Sequence, residues 1–170
     1  MTGNNTGGEI KVFGDVDTML FGLAATVGDD LIEDGDDIIE VGNNNMSVIV
    51  EGGGGNDKII GGWGGGQVDK LYGGSGDDKI WLINPDQREF DIVADQNYGY
   101  GGQGSDFIYG TDADDMIIGD DHNKGERDIV EADLEGGNDI LKGYGGDDNI
   151  HGNFGDDLIE GGAGDDRLEG

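Results

Sequence analysis

The sequence predicts an all-β fold, a solenoid of short strands joined by glycine-rich turns. Three observations predict it: a repeat nine residues long, an aspartate followed two places later by isoleucine or leucine in every strict copy, and a glycine content unsuited to helix. There are 38 glycines among 170 residues, and each glycine inside a helix costs about 1 kcal/mol. A flexible acidic linker is the competing reading. Linkers, however, do not hold an aliphatic residue in phase with an aspartate, nine residues at a time.

Residues 1–27 are the most degenerate part, with IKVF and TMLF as candidate strands or a cap. Residues 28–81 carry repeats. VGDDLIE and DGDDIIE place Asp30 before Ile32 and Asp37 before Ile39, and GGGGNDKII (52–60) is the first strict copy. GGWGGGQVDKLY (61–72) has three extra residues yet keeps Asp69 before Leu71, and GGSGDDKIW follows at 73–81. The stretch 82–100 breaks the pattern and holds the only proline, Pro85; its Asp91-Ile92-Val93 step resembles a repeat end behind an inserted loop. Residues 101–118 resume with GGQGSDFIY and GTDADDMII. A second insert, 119–133, contains a similar step at Asp128. Residues 134–170 return to the repeat in LEGGNDILK, GYGGDDNIH, GNFGDDLIE and GGAGDDRLE, and Gly170 opens one more copy. One continuous solenoid with two interruptions is expected.

Each nonapeptide divides into a six-residue turn and a strand of positions 7 to 9. Alternation along a strand sends position 8 to one face and positions 7 and 9 to the other. Position 8 is the dependable apolar position, so it faces inward, giving a core of Ile59, Leu71, Ile80, Ile108, Ile117, Ile150, Ile159 and Leu168. One large aliphatic per nine residues is a thin core against the entropy of ordering the backbone. A formal charge of -30, from 39 acidic and nine basic residues, makes matters worse. Cations must supply what the core lacks, because a ligand that binds only the folded chain contributes its affinity to folding. Carboxylates and backbone carbonyls are hard oxygen donors, and they suit Ca²⁺, whose six to eight ligands tolerate irregular geometry better than the Mg²⁺ shell.

The same charge argues against nucleic acid and anionic membranes as partners, since both require a basic patch. No apolar run is long enough to span a membrane, and the polar start MTGNNTGGEI has no signal-peptide core. Cysteine is absent, excluding disulfides and thiolate metal sites. Sequons occur at Asn4 and Asn45. His122 and His151 are isolated and make a poor zinc site, and no nucleophile elbow, Walker loop or EF-hand loop appears. The chain is expected not to be an enzyme.

At these repeats the sequence resembles the RTX (repeats-in-toxin) family, whose motif is Gly-Gly-x-Gly-x-Asp-x-apolar-x. The resemblance covers about residues 28–170, apart from the two inserts. It implies a right-handed parallel β-roll in which two nonapeptides make one coil and several Ca²⁺ ions lie in the turns, shared between repeat n and repeat n+2. On that pattern Asp139 pairs with Asp157 and Asp148 with Asp166, while Asp30, Asp37, Asp57, Asp69, Asp78, Asp106 and Asp115 take the same role upstream. Turn carbonyls near Gly52, Gly54, Gly73, Ser75, Gly101, Gln103, Gly143, Gly145, Gly152, Phe154, Gly161 and Ala163 complete the shells. The resemblance also implies a secreted protein that folds when calcium is present. RTX arrays accompany lipases, metalloproteases and epimerases, but there a separate domain performs the catalysis.

The outward positions add one more expectation. They are polar in the last three repeats but apolar in the middle, around Ile60, Tyr72, Trp81, Phe107, Tyr109, Met116 and Ile118. Such a stripe is either a contact surface or a surface covered by the insert 82–100. Two functions compete. One is an extracellular structural protein that stacks end to end into a filament or layer, with the unfinished repeat at Gly170 awaiting a neighbour. The other is an accessory module of a larger secreted toxin, adhesin or enzyme. Trp63, Trp81 and the tyrosines are the right residues to stack on sugars, but nothing fixes a sugar site.

Overall fold

A computed structural model describes residues 10–13, 19–21, 35–41, 48–62, 69–83, 96–120 and 136–170. Asp30, Trp63, Pro85, Asp91, His122, Asp128 and both sequons lie outside the described residues. The described elements are all strands: β1 (Ile10–Phe13), β2 (Met19–Phe21), β3 (Ile38–Glu40), β4 (Val48–Gly54), β5 (Lys58–Ile60), β6 (Lys70–Ser75) and β7 (Lys79–Trp81) in the first half. The second half contributes β8 (Asn97–Gln103), β9 (Phe107–Tyr109), β10 (Asp115–Ile118), β11 (Ile140–Gly145), β12 (Asn149–His151), β13 (Leu158–Ala163) and β14 (Arg167–Glu169).

The strands alternate between two parallel sheets. The first has the order β1-β4-β6-β8-β10-β12-β14 and the second β13-β11-β9-β7-β5-β3-β2. From β3 onward each strand therefore pairs with the strand two places along the chain, so two nonapeptides make one coil of a parallel β-roll. In-phase registers follow from the in-phase repeat: Ile59 lies opposite Ile80, Ile80 opposite Ile108, and Leu141 opposite Ile159.

This register stacks position 8 into two inward rows. Ile59, Leu71, Ile80, Ile108, Ile117 and Ile150 are fully buried, as the spacing predicts, together with Ile39, Val50, Leu82 and Leu141. Leu168 departs from expectation: it is 48 % exposed, and Ile159 is only partly buried. The reason is positional. Strand β14 is paired on one side only, with β12, so no further coil covers its inward residue.

The end of the first insert departs from its sequence reading. That end, Asn97–Tyr100, is the beginning of β8 and occupies a full place in the first sheet, between β6 and β10. Gly99 stands at the inward position there, opposite Leu71 and Ile117. A Cβ at Gly99 would come within 3.0 Å of the Leu82 and Ile108 side chains. Leu82, 1 % exposed, thus fills the space that a position-8 side chain would otherwise take. Beyond the second insert, Gly136 bridges to Gly104 ahead of β11.

The outward rows are laddered rather than open. Tyr72 stacks on Tyr100 at 4.6 Å between ring centroids, and Trp81 stacks on Tyr109 at 5.3 Å. Lys58, Lys70 and Lys79 lie over Trp81, Tyr98 and Phe107 at 5.6, 5.4 and 5.7 Å. Cross-strand stacking in register leaves this stripe half-buried, with Ile60 only 9 % exposed. The large exposed apolar residues among those described are instead Ile38, Tyr144, Phe154, Leu158 and Leu168.

The turns need backbone that only glycine adopts cheaply. Gly74 and Gly76, positions 2 and 4 of one turn, both have φ of +122°. Tyr144 and Asn153 occupy position 2 of later turns at φ +81° and +78°, and a left-handed conformation costs an ordinary residue about 1–2 kcal/mol. Tyr144→Gly is therefore expected to stabilise the roll by about 1 kcal/mol. Gly74→Ala is expected to destabilise it, since the new Cβ would also strike the Gly53 carbonyl. Thermal melts in calcium check both; a Tyr144→Gly protein that melts lower contradicts the strain argument.

Candidate metal centre

The six-residue turns form two rims along the roll. One rim carries Asp37, Asp57, Asp78, Asp106, Asp139 and Asp157; the other carries Asp69, Asn97, Asp115, Asp148 and Asp166. Parallel pairing places each position-6 carboxylate above the backbone of its counterpart one coil away. The N–H of Asp57 donates to Oδ1 of Asp78 at 2.8 Å, that of Asp78 to Oδ1 of Asp106 at 2.9 Å, and that of Asp106 to Oδ1 of Asp139 at 2.8 Å. Asp139 donates likewise to Asp157 at 2.9 Å and Asp148 to Asp166 at 3.0 Å, so the pairs expected from the repeat phase are neighbours.

In four of these carboxylates only one oxygen is used. Asp78, Asp106, Asp139 and Asp148 are at most 2 % exposed, and their Oδ2 atoms have no hydrogen-bond partner. A buried carboxylate oxygen left without a partner costs free energy. Burial accordingly pushes these carboxyls up, Asp78 to about 7, Asp106 to about 8, Asp139 to about 8 and Asp148 to about 6. Hydrogen bonds from backbone N–H groups oppose the rise, and neighbouring aspartates on the same rim add to it.

Position 1 of the turn shows where a cation fits. A Cβ on Gly73 would strike Oδ2 of Asp78 and lie 2.7 Å from the Gly101 carbonyl oxygen of the next coil. The same convergence recurs at Gly101 with Asp106 and the Gly119 carbonyl, at Gly119 with Asp139 and the Gly152 carbonyl, and at Gly143 with Asp148 and the Gly161 carbonyl. At Asp78, Asp106, Asp139 and Asp148 the turn thus offers an unsatisfied carboxylate oxygen beside a carbonyl from its neighbour. No group of three or more His, Cys, Asp or Glu side chains that could hold a metal occurs among the described residues. One carboxylate per turn plus backbone carbonyls is a hard-oxygen donor set, and it fits Ca²⁺ rather than zinc. A bound calcium supplies the positive charge that lets these carboxylates stay ionised while buried.

Of the carbonyls expected as ligands, those of Gly73, Gly101, Gly143, Gly152 and Gly161 sit against a carboxylate of the neighbouring coil, the Gly143 carbonyl beside Asp115. The Ser75 and Gln103 carbonyls accept hydrogen bonds from the Gly55 and Gly76 N–H groups at 2.9 and 2.7 Å. A second polar row was not anticipated. Position 5 forms its own ladder, in which Asn56 N–H donates to Oδ1 of Asp36, Asp77 N–H to Oδ1 of Asn56, and Ser105 N–H to Oδ1 of Asp77. The row continues from Asp156 to Asn138, and on the other rim from Asp165 to Asp147 and Asp147 to Asp114. Its signal was present in the sequence, since every strict repeat has Asp, Asn or Ser at that position.

The raised carboxyls fix the sign of a pH effect. Their folded values of about 6 to 8 lie above the ordinary unfolded value of about 3.9. In chelator, their contribution to stability is present below pH 4 and is lost as pH rises through 6 to 8. Calcium then competes with protons for the same oxygens. Calcium affinity is expected to climb between pH 6 and 8, with proton release on binding, measurable by calorimetry in buffers of different ionisation enthalpy. Affinity independent of pH across that range contradicts the assignment.

A family model for the RTX calcium-binding nonapeptide repeat matches the chain in four copies, at residues 49–65, 63–82, 96–123 and 135–168, together more than half of the sequence. Neither a curated protein nor a solved structure matches the chain significantly.

Proposed function

We propose a function from one premise: the chain belongs to the RTX calcium-binding nonapeptide repeat family. It is a calcium-binding β-roll module, and its task on our reading is structural. Calcium switches the module from unfolded to folded, and the folded roll acts as a rigid connector outside the cell. The observation that carries this reading is the row of buried carboxylate oxygens without partners at Asp78, Asp106 and Asp139. Such a row stays ionised while buried only when a cation sits against it. No helix among the described residues is long and apolar enough to cross a membrane.

The module on this reading is not an enzyme, because its buried carboxylates serve to hold ions and to link one turn to the next. Its proposed partner, besides calcium, is a second copy joined end to end. Strands β13 and β14 are each paired on one side only, and they present Leu158, 53 % exposed, and Leu168, 48 % exposed. At the other end, among the described strands, β1 and β2 are likewise paired on one side only. A head-to-tail contact between these ends would extend both sheets, and contacts of that kind build open filaments unless the rotation between copies closes a ring.

Sedimentation velocity tests the assembly. In calcium the chain is expected to form species larger than a monomer that grow with concentration, while chelator returns monomer. Leu168→Glu is expected to block growth without loss of β-structure by circular dichroism. A chain that stays monomeric in calcium at every concentration overturns assembly and leaves the accessory-module reading.

A further inference from the structure

We infer that the two rims do not hold calcium equally: ions run without a break along the Asp57–Asp157 rim, whereas the opposite rim is interrupted at Asn97 and Asp115. This inference rests on the calcium-binding reading and concerns which turns take part in it.

The carboxylate of Asp115 is already satisfied by its own turn. Its Oδ2 accepts hydrogen bonds from the Thr111 N–H at 2.6 Å and the Thr111 hydroxyl at 3.0 Å, and its Oδ1 accepts from that hydroxyl at 3.2 Å. The hydroxyl in turn accepts from the Ala113 N–H at 3.1 Å. Thr111 and Asp115 are 1 % and 0 % exposed, so water does not compete for these bonds. Asp78, Asp106 and Asp139, equally buried on the first rim, have no such partner for Oδ2.

The backbone supports the distinction independently. In the first-rim turns of Asp78 and Asp106, positions 2 and 4 have positive φ: +122° and +122° at Gly74 and Gly76, +122° and +117° at Gly102 and Gly104, whereas Gly137, ahead of Asp139, does not. The later second-rim turns keep this shape even where glycine is missing, with Tyr144 at +81° beside Gly146 at +97°. Thr111 and Ala113, at positions 2 and 4 of the 110–115 turn, are not among the positive-φ residues. Two side chains that resist left-handed backbone have given this turn a different path. Thr111 does from within what a cation does elsewhere.

Asn97 occupies the position-6 place next to Asp115. Its Oδ1 accepts from the Asp69 N–H at 3.1 Å, so the inter-coil link survives. An amide carries no charge, however, and the ring of oxygens there loses the anion that attracts calcium. Two consecutive places in the middle of the second rim thus offer no spare anionic oxygen, whereas the rim recovers one at Asp148.

Native mass spectrometry in calcium, with the metal as the only ligand, counts the ions and separates the possibilities. Asp78→Asn is expected to lose at least one ion, and Asp115→Asn to keep the full count. The pair Thr111→Gly and Ala113→Gly, which restores glycine at positions 2 and 4 and frees the carboxylate, is expected to gain one. Equal loss from Asp78→Asn and Asp115→Asn overturns the asymmetry while leaving calcium binding intact. An unaltered chain that takes up no calcium overturns the calcium reading itself, and the asymmetry with it.

Discussion

Everything in this roll depends on burying a row of carboxylates. Aspartates are rarely removed from water, because the desolvation of a charged group is opposed only by good partners. Here the same atoms that make the roll unstable also define it. Oδ1 of each position-6 aspartate ties its turn to the backbone of the adjoining coil, while Oδ2 of Asp78, Asp106, Asp139 and Asp148 is left to something else. Replacing these residues by apolar ones would remove the charge and also the links that set the coil-to-coil register. The chain keeps the charge and requires a counterion.

From that constraint the remaining architecture follows. Position 1 must be glycine because the carboxylate and the next coil's carbonyl occupy the space of a side chain, as at Gly73, Gly101 and Gly143. Position 8 must be aliphatic because the interior is only wide enough for two facing rows, such as Ile59 and Ile80 in one sheet and Ile117 and Ile150 in the other. The remaining outward positions are free to vary. In the middle they build aromatic and lysine ladders, and near the last coil they carry the ion pair of Lys142 with Glu160 at 2.8 Å. That pair is exposed and adds little to stability.

Much of this was legible in the sequence because a nine-residue phase converts directly into parallel register. Once Asp57, Asp78 and Asp106 share a position, the two-nonapeptide coil that the RTX resemblance implies stacks them, and the same resemblance gives the pairs Asp139–Asp157 and Asp148–Asp166. The reading failed where the phase was carried by unlike residues. Asn97 and Gly99 hold the positions of aspartate and aliphatic in β8, and Leu82 fills the gap from outside the repeat. No pattern search keyed to aspartate and isoleucine finds that substitution. Thr111 was invisible for another reason: the repeat is intact around it, and only the hydrogen bonds show that Asp115 is already occupied. Leu168 obeys the pattern and is exposed nonetheless, because burial depends on a neighbouring coil as well as on the residue.

The account stands or falls on whether calcium supplies what the carboxylate rows lack. Far-UV circular dichroism through a calcium titration at neutral pH, with magnesium as the control, tests it most directly. Cooperative appearance of β-structure with calcium but not with magnesium is the predicted result. A chain equally folded in excess chelator would show that the buried aspartates are compensated in some other way, and the account would be wrong.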